Sequence, residues 1–396
     1  MKKIGFVIPW YGENIPGGAE MELRETAGHL HAAGISVEIL ATTAKEFSSD
    51  WNVDYYKPGM DTVNGIPVRR FRVKKRDAGA FDAVNAKLMK GMDVSVAEEE
   101  VFVSNMINST ELYEYIAKNS SEYSFFVYIP YMFGTTYYGI SACPEKSVMI
   151  PCFHDEAYAR MSLFKELFKN VRGMIFNARP EMQLAERLYD TSDVEKILMG
   201  IGMDTGITSD PQRFRKKFGI DAPFILYAGR KDKGKNVDTL LKYFSEYRKR
   251  NGGSLRLVLI GGGNMDIPED IAAYTDDLGF VDIQDKYDAQ AAAAFLCQPS
   301  KNESFSLVIM ESWLCGRPVL VHGGCEVTRN FVSESDGGLY FCDYFEFEAC
   351  VEYFLKHRDT SDIMAENGKK YVEKNFSWDV IVTKYLDFFE KLEEKP

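Results

Sequence analysis

The chain has 396 residues, 45% apolar and 27% charged, with a formal net charge of -12. That balance supports two or three packed cores, excludes disorder over most of the length and predicts repulsion of nucleic acid phosphates. No apolar run approaches the roughly 18 residues of a membrane span, and the start lacks the long apolar region of a signal peptide, so a cytoplasmic protein is expected.

Short apolar runs alternate with amphipathic stretches, the pattern of parallel sheets covered by helices. In the first half, strands are predicted at 4–9, 37–41, 68–73, 125–129, 148–153, 174–176 and 196–199. A helix with Ala19, Leu23, Ala27 and Leu30 on one face follows the first strand. Pro16-Gly17-Gly18-Ala19-Glu20 joins the two, and its glycines let backbone approach a ligand closely. A plain strand-to-helix turn is the simpler reading of the same residues.

The basic run Arg69-Arg70-Phe71-Arg72-Val73-Lys74-Lys75-Arg76 has two readings. One is contact with an acceptor phosphate or with anionic lipid at a peripheral membrane surface. The favoured one is a solvated strand edge, with Arg70, Arg72 and Lys74 on one side and Phe71 and Val73 on the other. Residues 81–118 form a long, mostly helical excursion, expected to border an acceptor. His154-Asp155 ends one strand and Asn177 follows another, positions that face a ligand crevice in such sheets.

After Gly200-Ile201-Gly202 the sequence turns polar, and the strand pattern restarts at 224–228. Further strands are predicted at 257–260, 280–283, 295–298, 319–322 and 339–341. The boundary is therefore placed at 205, giving domains at 1–205 and 206–375. Residues 376–396 read as an amphipathic helix with a stripe of Trp378, Val382, Tyr385 and Phe389, expected to pack back on the first domain. The seven cysteines (143, 152, 297, 315, 325, 342 and 350) form no CxxC pair, and buried reduced thiols are expected rather than metal ligands.

The strongest chemical signal is Pro299-Ser300-Lys301-Asn302-Glu303-Ser304-Phe305-Ser306-Leu307-Val308-Ile309-Met310-Glu311, directly after a strand. Glu303 in the loop would meet a ligand. Ser304 is the predicted N-cap, leaving amides of Phe305, Ser306 and Leu307 for an anion such as a diphosphate. Glu311 lies on a helix apolar almost all round, where a carboxylate needs a partner. Roughly 12 Å would separate the two acids along a continuous helix. Gly229-Arg230-Lys231-Asp232-Lys233-Gly234-Lys235-Asn236 supplies cations for a leaving diphosphate. It also fits the phosphate loop of NTPases, except that Asn236 replaces the magnesium-binding Ser or Thr.

A Glu, seven residues and a Glu after Pro-Ser, followed by Cys315-Gly316-Arg317-Pro318-Val319, resembles the signature of the family-4 retaining glycosyltransferases of GT-B fold. The resemblance implies an α/β protein of two facing Rossmann-like doubly wound domains, the second holding a nucleotide diphosphate sugar donor. It implies that Glu303 contacts the transferred sugar, that amides at Phe305, Ser306 and Leu307 with Arg230 and Lys235 hold the diphosphate, and that Glu311 binds the ribose. Gly262 and Val281 would lie near the nucleotide. Gly18 would face the donor phosphate, Gly17, Gly18, Glu20 and Asp155 the acceptor side, and His154 the transferred sugar. Catalysis would rest on His154, Glu303, Arg230 and Lys235, with no metal and no cofactor beyond the donor. Ser304 and Ser306 stand where glycines are frequent in that family.

The expected activity is hexosyl transfer to a hydroxyl, with retention, on a glycan or lipid-linked acceptor in surface polysaccharide assembly. The alternatives are a nucleotide-sugar epimerase on the same fold and a non-catalytic nucleotide-sugar-binding module. ATP hydrolysis is a more distant one.

Overall fold

A computed structural model describes residues 1–394; the last two residues of the expected C-terminal helix lie outside the described residues. The chain divides into two compact units, Met1–Gly202 with the helix Trp378–Glu394, and Met203–Ser377.

In the first unit, strands β1 (Lys3–Ile8), β2 (Val37–Thr42), β3 (Gly59–Val63), β4 (Ile66–Phe71), β5 (Tyr123–Tyr128), β6 (Ser147–Met149), β7 (Gly173–Phe176) and β8 (Glu195–Leu198) form one sheet in the order β3-β4-β2-β1-β5-β6-β7-β8. All neighbours are parallel except β3 and β4. Central strands such as KIGFVI and VEILAT are buried along nearly their whole length, as a sheet covered on both faces requires. The predicted strand at 148–153 stops at Met149, because Pro151 has no amide to give a ladder and Cys152 is left-handed at φ 56.

β3 is absent from the sequence reading because its residues are mostly exposed and polar. It returns antiparallel onto β4 through Asn64-Gly65, whose φ values of 51 and 81 suit a tight hairpin. β3 therefore takes the edge, and the expectation of a solvated basic edge is corrected at Arg70, while Arg72 and Lys74 are exposed and Phe71 and Val73 buried as expected. Arg70 is buried: its Nε pairs with Asp61 at 3.0 Å and its Nη1 donates to the Tyr11 carbonyl at 2.9 Å. Arg69 pairs with Glu38 at 2.9 Å and Arg72 with Glu111 at 3.2 Å. These cations neutralise carboxylates of the same unit.

The excursion between β4 and β5 consists of the helices Ala78–Leu88, Val96–Asn105 and Thr110–Asn119. Ser95 and Glu98 form a capping box at the start of the second, and Phe81 of the first stacks on its Phe102 at 5.1 Å. The helix Trp378–Glu394 buries Ile381, Tyr385, Phe388, Phe389 and Leu392, with Phe389 stacked on Phe125 at 5.7 Å. Of the predicted stripe, Tyr385 and Phe389 are fully buried, whereas Trp378 lies flat on His29 at 3.9 Å. Among the described residues no helix is long and apolar enough to cross a membrane.

The second unit holds β9 (Phe224–Ala228), β10 (Arg256–Ile260), β11 (Thr275–Gly279), β12 (Phe295–Gln298), β13 (Val319–His322) and β14 (Gly338–Phe341), all parallel, in the order β11-β10-β9-β12-β13-β14. That is the doubly wound order with its reversal between β9 and β12. The strand predicted at 280–283 is corrected: the edge strand is the polar Thr275–Gly279, Phe280 is 87% exposed, and Ile283 opens the helix Ile283–Ala292. An edge strand buries few side chains, so its polarity hid it while the apolar residues beyond it imitated a strand.

Candidate active site

In the second unit the loops leaving β9 and β12 flank the point where the strand order reverses, the place where open α/β sheets hold ligands. Two contacts join them. Lys235 Nζ lies 2.8 Å from Glu303 Oε1, and Asn236 Nδ2 donates to the Pro299 carbonyl at 2.9 Å. Asn236, a defect in the phosphate-loop reading, adopts φ 58 at the start of the helix Val237–Asn251 and ties the loops together. Asn tolerates that conformation better than most residues.

The glycines after β10 serve close packing. Gly261 lies so near the Gly229 carbonyl that a Cβ would overlap it, and a Cβ on Gly263 would come within 2.5 Å of the Lys231 carbonyl. Lys231 N donates to the Gly262 carbonyl at 2.7 Å. A Cβ on Gly262 would reach 2.6 Å from the exposed Phe280 ring, with Val281 next along the chain. Arg230 is 70% exposed and pairs with Asp232. Lys231, which the sequence reading left unassigned, is the buried cation and pairs with Asp277 of β11.

The helix after β12 runs Leu307–Leu314, and its N-cap is Ser306 at φ 81 and ψ 76 with no side-chain capping bond. The expected cap at Ser304 is thus corrected, and the 12 Å helical separation does not apply, since Glu303 sits in the loop. The cause is Phe305, 1% exposed and packed edge-on to Phe331 and Phe376 at 5.1 and 5.0 Å. Burying that ring holds 304–306 out of the helix. The first-turn amides from Leu307 onward lack an intrahelical acceptor, as at any helix start.

Glu311 is 7% exposed, and its partners are Lys286 Nζ at 2.6 Å and Gln290 Nε2 at 3.3 Å, both from the helix Ile283–Ala292. The motif was legible in sequence. Its partners were not, because they lie on a different helix with no spacing rule to flag them.

In the first unit, Gly17 adopts φ 141 before the helix Gly18–Ala32, and Glu20 accepts the Trp10 indole N-H at 2.6 Å. Burial raises the Glu20 carboxyl above its usual range. His154 is partly exposed with Nδ1 3.7 Å from Glu156 Oε1, while Asp155 pairs with Arg160 at the surface. Asn177 is buried rather than facing a ligand, and its Nδ2 donates to both oxygens of Glu22 at 3.0 and 2.9 Å. Glu181 accepts the amides of Phe153 at 2.8 Å and Asn177 at 2.7 Å, fixing the backbone that leads into His154. Burial pushes Glu22 up to about 8 and Glu181 up to about 7.

Two parallel-sheet units of this order constitute the GT-B fold, and solved structures bear this out. Sucrose-phosphate synthase from Thermosynechococcus elongatus matches with a TM-score of 0.72 at 15% identity, covering 100% of both chains. Anabaena HepE in complex with UDP and glucose matches at 0.70 and 14% identity, over 98% of this chain and 100% of that one. Residues 209–371, which lie within the second unit, match the family described as Glycosyl transferases group 1. A D-inositol 3-phosphate glycosyltransferase from Saccharomonospora viridis is 25% identical over 239 residues, 54% of this chain and 54% of that protein. The chain thus spans about half the length of the curated relatives it matches.

Proposed function

We propose that the chain is a retaining glycosyltransferase that moves a hexosyl unit from a nucleotide diphosphate sugar to a hydroxyl acceptor. The observation that carries this reading is the convergence of Lys235, Glu303 and a helix start on the reversal point of the second sheet. A diphosphate suits that position: the amides and the positive helix end favour anions, and Lys235 and Arg230 add charge where the leaving group develops it. Glu303 takes the sugar and Glu311 the ribose. Each carboxylate is paired with its own lysine, Lys235 or Lys286.

The reaction is front-face attack. The acceptor oxygen bonds the anomeric carbon on the side from which the diphosphate departs, the sugar-phosphate bond breaks, and a phosphate oxygen takes the acceptor proton. His154 and the Gly17-Gly18 turn are the sugar- and acceptor-side groups of the first unit, and the two cations with the amides meet the charge demand without a metal. HepE's complex with UDP and glucose makes uridine nucleotide sugars the first donors to test, and surface glycan assembly is the proposed setting. The test replaces Glu303, Arg230 and Lys235 singly by Ala and measures transfer across a donor panel; full activity in all three would sink the proposal. Donor incubated without acceptor should keep its sugar stereochemistry, and a changed stereocentre would mark an epimerase instead.

A further inference from the structure

Gln298 is the last residue of β12 and is 5% exposed, a long amide in a strand otherwise made of Phe295, Leu296 and Cys297. Its Nε2 donates to Glu303 Oε1 at 3.3 Å and to Ser306 Oγ at 3.4 Å. Its Oε1 is buried without a hydrogen-bond partner among the described residues. Turning the amide round would not relieve this, because it would set an oxygen against a carboxylate that only accepts. An unpaired amide oxygen at that depth is costly, so a strand seeking only burial would do better with an apolar side chain.

What the amide achieves is at Glu303. Lys235 and Gln298 both donate to Oε1, and among the described residues no side chain donates to Oε2. One oxygen is clamped and the other is offered. The same amide holds Ser306, whose left-handed φ of 81 is unusual for a residue with a Cβ. Gln298 therefore grips both ends of the turn 303–306.

We infer that Gln298 is a positioning residue that orients the Glu303 carboxylate so that its Oε2 meets the sugar of the bound donor. This rests on the donor-site reading above. The full chain and its Gln298→Met and Gln298→Glu variants are titrated calorimetrically with uridine, guanosine and adenosine diphosphates and with their glucose esters. Met keeps length and burial without the donor group; Glu keeps shape but sets a second carboxylate beside Glu303.

For the base that the unaltered chain binds, both variants should hold the nucleoside diphosphate within about threefold of the parent affinity. The glucose ester should bind about tenfold more weakly, the scale of one hydrogen bond to a charged group. A merely structural residue would weaken both ligands alike, so equal losses, or none, in the folded variants overturn the inference and leave the donor site standing. Should the Met variant not fold, the isosteric Glu variant reads the same split. Failure of the unaltered chain to bind any nucleoside diphosphate would remove the donor-site reading and this inference with it.

Discussion

Replacing Glu22 by Gln tests the buried acid cluster of the first unit. Glu22 is 3% exposed, the Asn177 amide donates to it at hydrogen-bond distance with the Cys152 thiol farther off, and burial, with Glu181 nearby, raises its carboxyl from 4.5 to about 8. The folded chain therefore keeps a proton that the unfolded chain releases above pH 4.5. That stabilisation is complete below pH 4.5 and is lost as pH rises to about 8. Each pH unit in the window is worth about 1.4 kcal/mol, which caps the loss near ~5 kcal/mol. Local relaxation relieves part of it, and Glu181, raised to about 7, ionises over the same range. A net loss of about 2–3 kcal/mol between pH 6 and pH 8.5 is expected.

Gln cannot ionise, so the variant should lose less than half as much. At pH 6 it should be the weaker protein by about 1 kcal/mol, since a Gln amide group faces the Asn177 amide; by pH 8.5 the order should invert. Urea unfolding followed by tryptophan fluorescence reads this directly, because Trp10, Trp51 and Trp378 lie in the first unit and Trp313 in the second. Other titrating groups are common to both chains and cancel in the difference. Parallel stability curves from pH 5 to 9 would refute the assignment.

Gly202→Ala would place its Cβ inside the Trp378 indole, displacing the ring from His29; a loss of about 1–3 kcal/mol is expected in thermal unfolding. Phe305→Ala removes the ring that pins residues 304–306 and should cost about 3–5 kcal/mol. It should also weaken nucleoside diphosphate binding measured by calorimetry, and unchanged binding would separate the loop from the donor site. Asp277→Asn leaves Lys231 buried without its counter-charge; because Asp277 is itself partly exposed, a loss of about 2 kcal/mol is expected, and an unchanged unfolding midpoint would count against the pair.

Much of the fold was legible. The strands 224–228, 295–298 and 319–322 match the observed elements to the residue, since a strand buried on both faces is apolar along most of its length and is bounded by turn residues. The edges were not. β3 and β11 bury little, so polarity hid them, and without β3 nothing in the sequence marks Arg70 as buried beside the hairpin while Arg72 and Lys74 stay exposed.

By itself the sequence determined most of the buried strands, the place where the pattern restarts and the acidic and basic residues of the loops after β9 and β12, all of which depend on local periodicity and spacing. Only the tertiary structure decided what each charge faces: Lys235 on Glu303, Lys286 on Glu311, Lys231 on Asp277 rather than on a ligand, and Gln298 beneath the turn. The physical reason is that burial and pairing join charges 25 to 68 positions apart in these cases or fix an amide at a strand end, and no local pattern encodes which partner a buried charge will find.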